Sequence, residues 1–247
     1  ASLSGMGEGT TTNSNWSAAL EELRNHRVNF IVVTSTDSSV HALLADHLDW
    51  RWGKGGSEAI GHVGAGTDET LAQLKARAKA LNNSNVCLHF QDVNRDNDAS
   101  VDTNYAPWAM ATMAAAIQAG SEFGTPLTDK ALKVSAIGQN SNIDLIDDAD
   151  TLIEYGICHA RYYNNEYRIV RALTTFTTDD TDFKIECNVR HSTAWTLYKV
   201  RDRVRFYHLG KAAKSGNALS MKGTMINTLT EIRDVDEAIV EGSRRVN

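Results

Sequence analysis

With 247 residues, 42% hydrophobic and 23% charged, the chain has the composition of a folded globular protein with one sizeable core or two modest ones, which excludes general disorder. A net charge of −6 lacks the basic footprint of a nucleic-acid-binding protein, and no apolar stretch reaches the roughly 18 residues of a membrane-spanning helix. Charge is segregated, with ten Lys and Arg against six Asp and Glu in residues 196–247 and a net of −10 in the rest; that distribution suits head-to-tail association of copies as well as ordinary solvated surface.

Trp16, Ala19, Leu20 and Leu23 recur at helical spacing behind Asn13 or Asn15 as a cap. Residues 28–34 form a continuous apolar, β-branched run, the pattern of a strand covered on both faces. Val40, Leu43, Leu44 and Leu48 then mark a helix ending near Gly53, followed by a short strand over 59–63. Leu71, Leu74, Ala78 and Leu81 mark another helix, closed by Asn82-Asn83, and 85–91 reads as a third strand. The polar segment 92–104 has no periodicity and is expected to be an exposed loop that makes contacts.

Residues 105–120, YAPWAMATMAAAIQAG, are small-sided and apolar on nearly every face, so a helix here must be buried. Pro107 suits its first turn and Gly120 its stop. Leu145, Ile146, Ala149, Leu152 and Ile153 predict a helix stopped by Gly156, and 157–162 with 167–174 flank Asn164-Asn165 as a hairpin. Phe183, Ile185, Cys187 and Val189 alternate as a half-buried strand would. Two helices complete the reading: one with Leu197, Val200, Val204 and Tyr207 on its inner face, stopped by Gly210, and one defined by Met225, Ile226, Leu229 and Ile232.

The fold expected is α/β, with a mainly parallel sheet and flanking helices in the first half and an α+β second half with an antiparallel hairpin. The soft boundary falls between regions 1–136 and 137–247, which can share one continuous sheet.

Reactive constellations are sparse. Gly5, Gly7 and Gly9 have no strand before them, whereas the cluster from Gly61 to Asp68 lies between a strand and a helix and could present amides to an anion. Its spacing is neither a dinucleotide fingerprint nor a P-loop, and Thr67 and Asp68 can simply cap the helix. Asp37, Asp68 and Asp92 follow strands, where a converging trio could hold Mg²⁺, although acids at strand ends also start turns and cap helices. His41 and His47 are six apart and do not share a helical face; His62, His89, His159 and His191 fall singly in or beside strands, as structural histidines do. Cys87, Cys158 and Cys187 fit neither a disulfide framework nor a zinc knuckle and are expected to be reduced, mostly buried thiols. No nucleophile elbow is present. Asp144, Asp147, Asp148 and Asp150 read as favourable charge at a helix start. Lys199, Arg201, Arg203 and Arg205 load one helix with positive charge, either as a solvated face or as an interface.

The segments LSGMGEGTTT (3–12), KALNNSNVCLHF (79–90), the Ala-rich run, FGTPLTDKAL (123–132) and RALTTFTT (171–178), in this order and spacing, resemble the tail sheath proteins of contractile phages. Met6 and Glu8 interrupt the glycines where family members often read LSGG. The resemblance implies a structural subunit, not an enzyme, with no catalytic, cofactor-binding or metal-binding residues. It implies stacked hexameric rings around a tail tube, contracting to drive the tube through the host envelope. Its partners would be neighbouring sheath subunits, the tube protein, and the baseplate and tail terminator proteins, with no nucleic acid and no membrane insertion. The location implied is the virion, after assembly in the host cytoplasm. The chain is expected to be the inner, C-terminal portion of such a subunit, monomeric without exchanging arms. The alternatives are a Mg²⁺-dependent or anion-binding α/β enzyme using the strand-end acids, and a cytosolic interaction module.

Overall fold

The computed structural model describes residues 11–96, 101–138, 142–178, 186–211 and 215–234. Helix α1 (Asn13–Glu22) leads through a short 3₁₀ turn (Leu23–Asn25) to strand β1 (Phe30–Val32). Helix α2 (Ser38–Trp50) continues into a π-helical turn (Arg51–Gly55) before β2 (Ile60–Gly64), α3 (Leu71–Leu81) and β3 (Val86–His89). A hairpin of β4 (Val93–Asp96) and β5 (Asp102–Tyr105) precedes α4 (Pro107–Ala119). Then come β6 (Ala131–Leu132), β7 (Ala136–Ile137), α5 (Ala149–Glu154), β8 (Ile157–Tyr163) and β9 (Glu166–Arg171). Helices α6 (Cys187–His208) and α7 (Ser215–Asp234) complete the described chain.

The fold is mixed α/β. Six strands form one sheet in the order β1-β2-β3-β8-β9-β6. Its first four strands are parallel, and β8–β9 and β9–β6 are antiparallel. The pairing of Leu88 with Ile157 and of His89 with Cys158 carries this sheet across the chain's midpoint. A small antiparallel sheet, β5-β4-β7, stands apart. Parallel and antiparallel pairing therefore do not sort by halves: the β4–β5 hairpin is antiparallel, and the later strand β8 extends the parallel set.

Local chemistry explains the strongest elements. Asp37 caps α2, its carboxylate accepting from the Ser39 amide at 2.8 Å. A capping box opens α3: the Gln73 side chain accepts from the Thr70 amide at 2.8 Å, and the Thr70 hydroxyl accepts from the Gln73 amide. Asn82, at φ 33°, ends that helix in the left-handed region. Asn164 and Asn165, at φ 53° and 64°, supply the two positive φ values a tight hairpin turn requires.

The sheet separates two cores. On one side Val63, Val86, Leu88 and Ile157 meet Leu44 and Leu48 of α2, Leu74 and Ala78 of α3, and Leu152 of α5. On the other Ile60, Cys87, Cys158 and Ala160 meet Met110 and Ala114 of α4, with Cys187 at the start of α6. The small side chains of α4 let it lie against β2 so closely that a Cβ on Gly64 would stand 2.1 Å from the Trp108 nitrogen. The burial expected of this apolar helix holds for one face, with Met110, Ala111, Ala114, Ala115 and Gln118 buried, while Thr112, Ala116 and Ala119 are exposed.

Several expectations need correction. The segment expected to be a loop at 92–104 contains β4 and β5, tied by polar cross-strand pairs such as Asn104 to Asn94 at 2.7 Å. Its few inward apolar side chains, among them Val93, leave no periodicity to read. Cys187 and Val189 belong to a helix and not to a strand; residues 183 and 185 lie outside the described residues. The buried stripe there is Cys187, Arg190, His191 and Ala194, a helical spacing disguised by two polar members. Helix α1 is capped by Thr12, whose amide donates to the Asn15 side chain at 2.9 Å, and not by Asn13 or Asn15. Helix α5 starts only at Ala149; Leu145 packs on the first core, while Ile146 is 86% exposed. Of the inner face expected for α6, Val200 and Val204 are half-buried, whereas Leu197 and Tyr207 are exposed.

Candidate functional site

The strand ends of the parallel sheet are the natural place to look for chemistry. Asp37 is committed to capping α2, and its hydrogen bonds from Ser39 hold its carboxyl below the usual range. Asp92 lies after β3, where burial raises its pKa, opposed by a 3.3 Å hydrogen bond from the Thr67 hydroxyl. The charge of Asp68 raises it further. Asp68 itself sits at φ 58° in the turn before α3. Asp68 and Asp92 are therefore neighbours, while Asp37 is engaged elsewhere. Among the described residues no group of three or more His, Cys, Asp or Glu could hold a metal ion.

The glycine loop between β2 and α3 does expose an amide, and the protein supplies the anion. The Gly66 amide donates to the Glu69 carboxylate at 3.0 Å, and Glu69 is paired with Arg77. A Cβ on Gly66 would meet the Glu69 carboxylate at 2.7 Å, so the loop is shaped around that side chain.

The histidines are not all solitary. His62 and His89, on adjacent parallel strands, meet ring to ring, with His62 Nδ1 3.1 Å from His89 Nε2. His62 Nε2 is 3.2 Å from the Gln118 side-chain oxygen, and the Gln118 amide donates to the Cys187 carbonyl. This chain fixes the protons: Gln118 must accept from His62 Nε2–H, so His62 Nδ1 accepts from His89 Nε2–H, and both rings are neutral. Burial pushes His62 down to about 4 and His89 well below its ordinary value. His191 lies in α6, not beside a strand, between Phe30 and Phe123. The His62–His89 pairing was hidden because the two residues are 27 apart; only the registration of β2 on β3 reveals it.

All three cysteines are buried, as expected, but Cys87 and Cys187 are joined by a disulfide, contrary to the reduced thiols expected for both. The physical reason is tertiary: β3 and the first turn of α6 converge beneath α4 although they are 100 residues apart in sequence. Cys158 is free; its thiol donates to the Leu173 carbonyl at 3.2 Å, and burial pushes it up to about 12. A thiol held protonated in this way is a poor nucleophile.

Basic residues on α6 divide between interior and surface. Arg201 pairs with Glu58, whose side chain is 1% exposed, and also donates to the Gly56 carbonyl at 2.9 Å. Arg203 pairs with Glu231 of α7 at 3.1 Å. The Lys199 ammonium lies 4.4 Å from the centre of the Trp195 ring, and Arg190, unforeseen in sequence, lies over Trp52 at 3.7 Å. The acidic cluster is used locally: the Asp144 carboxylate accepts from the Ile146 and Asp147 amides, and that of Asp148 accepts from the Asp144 amide.

What stands out is surface. Phe206, Leu209 and Leu219 are 72–80% exposed, and Met221, Met225, Ile226 and Leu229 accompany them on α7. Exposed apolar residues concentrated on one helical pair mark a contact surface. The described clefts are open: one of about 410 Å³ between β3, β8 and the 143–146 turn includes Phe90, Arg161, Tyr162 and Tyr167, and brings no nucleophile to a base.

No family model matches the chain. The tail sheath protein of Staphylococcus phage Twort is 25% identical over 98% of this chain and 43% of its own length. The fold recurs in the sheath tail protein of Listeria innocua, with TM-score 0.75 and 12% identity over 97% of this chain and 53% of that one. It also recurs in the sheath tail protein of Desulfitobacterium hafniense, with TM-score 0.74 and 14% identity over 95% and 52%. The helical sheath of the anti-feeding prophage in its contracted state gives TM-score 0.68 at 11% identity over 97% of this chain and 64% of that one. The likeness to tail sheath proteins read from the sequence thus holds in sequence and in fold, and the chain spans roughly half the length of most of these relatives.

Proposed function

We propose that this chain is the core portion of a contractile tail sheath subunit, a structural element and not an enzyme. The observation that carries this reading is that the likeness to a tail sheath protein extends over 98% of the chain. The fold agrees, since sheath proteins of phage-like tails and injection systems share it. In this reading the subunits stack as hexameric rings around a tail tube and shorten by repacking as nearly rigid bodies, driving the tube through the host envelope. Partners are neighbouring sheath subunits, the tube, the baseplate and a tail terminator, in a virion assembled in the host cytoplasm. Regions 1–136 and 137–247 act as the two parts of one inner wall.

The physical support is twofold. Polar groups that could do chemistry are consumed internally: Asp37 in a cap, Glu69 against Arg77, and His62 against His89 and Gln118. The unspent surface is apolar and charged, on α6 and α7, which is what a self-assembling subunit needs.

The test is light scattering on this chain beside the longer protein. The expected result is a monomer for the chain and polymers for a longer protein whose arms add strands to neighbouring sheets. A stable hexamer of this chain, or a monomeric longer protein under all assembly conditions, overturns the proposal.

A further inference from the structure

Helix α6 meets the sheet at its N-terminal end through a set of buried and half-buried contacts. The Cys187 carbonyl accepts from Gln118 of α4, its amide donates to Ala172, and His191 packs between Phe30 and Phe123. Arg190 donates to the Asn85 side chain while lying over Trp52. Further along, Arg201 holds Glu58. Helix α7 packs chiefly on α6, so whatever fixes α6 fixes the whole α6–α7 arm. Into this docked arrangement the sulfur atoms of Cys87 and Cys187 are placed together, both fully buried. Their Cα atoms are 7.1 Å apart, beyond the usual disulfide span of about 4.4–6.8 Å. Contacts other than the bond hold the start of α6 against the sheet, and the bond adds to them.

We propose that Cys87 and Cys187 form a redox-set clasp for the α6–α7 arm: the chain folds as the dithiol, and oxidation then ties α6 to β3. In a reducing compartment the dithiol persists, and outside it the disulfide does. The oxidant is a low-molecular-weight disulfide. One cysteine thiolate attacks it, forming a mixed disulfide and releasing one thiolate; the second cysteine thiolate attacks the mixed disulfide at the protein sulfur and releases the other. Two protein thiols lose two protons and two electrons, and the small disulfide gains them to become two thiols. Because both sulfurs are buried, exchange passes through a partial opening of α6. Cys158 takes no part: its thiol, on β8, is engaged by the Leu173 carbonyl and amide. The clasp is independent of the sheath reading and would hold for any function of the arm.

The experiment uses the whole chain, equilibrated with excess oxidised or excess reduced glutathione, alkylated in denaturant and weighed. The expected result is one alkylated cysteine after oxidation and three after reduction, with Cys158→Ser giving none and two. Hydrogen exchange on the same two samples reads the clasp, and amides in the first turns of α6 should exchange about tenfold slower when oxidised. Both comparisons use the unmodified chain, so they survive if Cys87→Ser or Cys187→Ser fails to fold. Three alkylated cysteines after prolonged oxidation overturn the proposal. A disulfide that leaves exchange in α6 unchanged overturns it equally.

Discussion

Replacing Gly64 by Ala tests the packing on which the interior rests. A Cβ at this position would lie 2.1 Å from the Trp108 nitrogen, 2.4 Å from the Pro107 carbonyl carbon and 2.5 Å from the Trp108 Cα. Ordinary van der Waals contact starts at 3.4 Å, so β2 or the start of α4 must retreat by more than 1 Å. Every atom in the way is backbone, and no rotamer change relieves the clash. Overpacking of a tight core costs about 1–3 kcal/mol, and a backbone clash belongs at the upper end, about 3 kcal/mol. In a chain of this size that lowers Tm by about 6–12 °C. The control is Gly53→Ala, where the new Cβ meets nothing within 4 Å in a helical turn; it should change stability by at most about 1 kcal/mol, toward stabilisation. Thermal melts followed by circular dichroism compare the two. A Gly64→Ala protein melting within about 2 °C of the parent would show that α4 does not lie against β2 as described.

Glu58→Gln removes the carboxylate that holds Arg201 and faces Arg27, Arg51 and Arg190. With Arg201 still one-third solvated, the loss should be about 2 kcal/mol in urea denaturation, and no loss would mean that this pair does not anchor α6. Stability should also fall with acid. Above pH 6.5 His62 is neutral in both states; between 6.5 and about 4 the unfolded chain takes a proton that the folded one refuses. The slope is about 1.4 kcal/mol per pH unit for that residue, flattening once pH passes below the folded value, and His62→Gln should make it shallower. Stability independent of pH across this window would contradict the buried pair. Millimolar Mg²⁺ should leave Tm unchanged, because Asp37 is engaged apart from Asp68 and Asp92; a saturable rise abolished by Asp92→Asn would revive the metal-enzyme alternative.

How much was legible in the sequence depended on whether the signal was local. Helices α2 and α3 announced themselves because their apolar stripes lie within a few residues, although Thr70 caps α3 and not Thr67 or Asp68, and Asn164-Asn165 specified a hairpin because its conformation needs no distant partner. The start of α6 was misread because its inner stripe contains Arg190 and His191, whose burial is made tolerable by Trp52, Asn85, Phe30 and Phe123 far away in the chain. The β4–β5 hairpin was missed for the opposite reason: its pairing is held by Asn94, Asn104 and Ser135 side chains, which look like loop composition. The His62–His89 contact and the Cys87–Cys187 bond both follow from strand register and helix docking, which no local pattern encodes. The family likeness was easier to see than any of these, since it depends on the order of several segments and not on one side-chain contact.

In the proposed function this molecule acts through the fit between copies of itself. Electron microscopy of the full-length product examines that most directly. Striated tubes of stacked rings, present in long and shortened forms, are the predicted result. Isolated particles that never assemble, together with turnover of a small substrate lost on replacing Asp92, would contradict it.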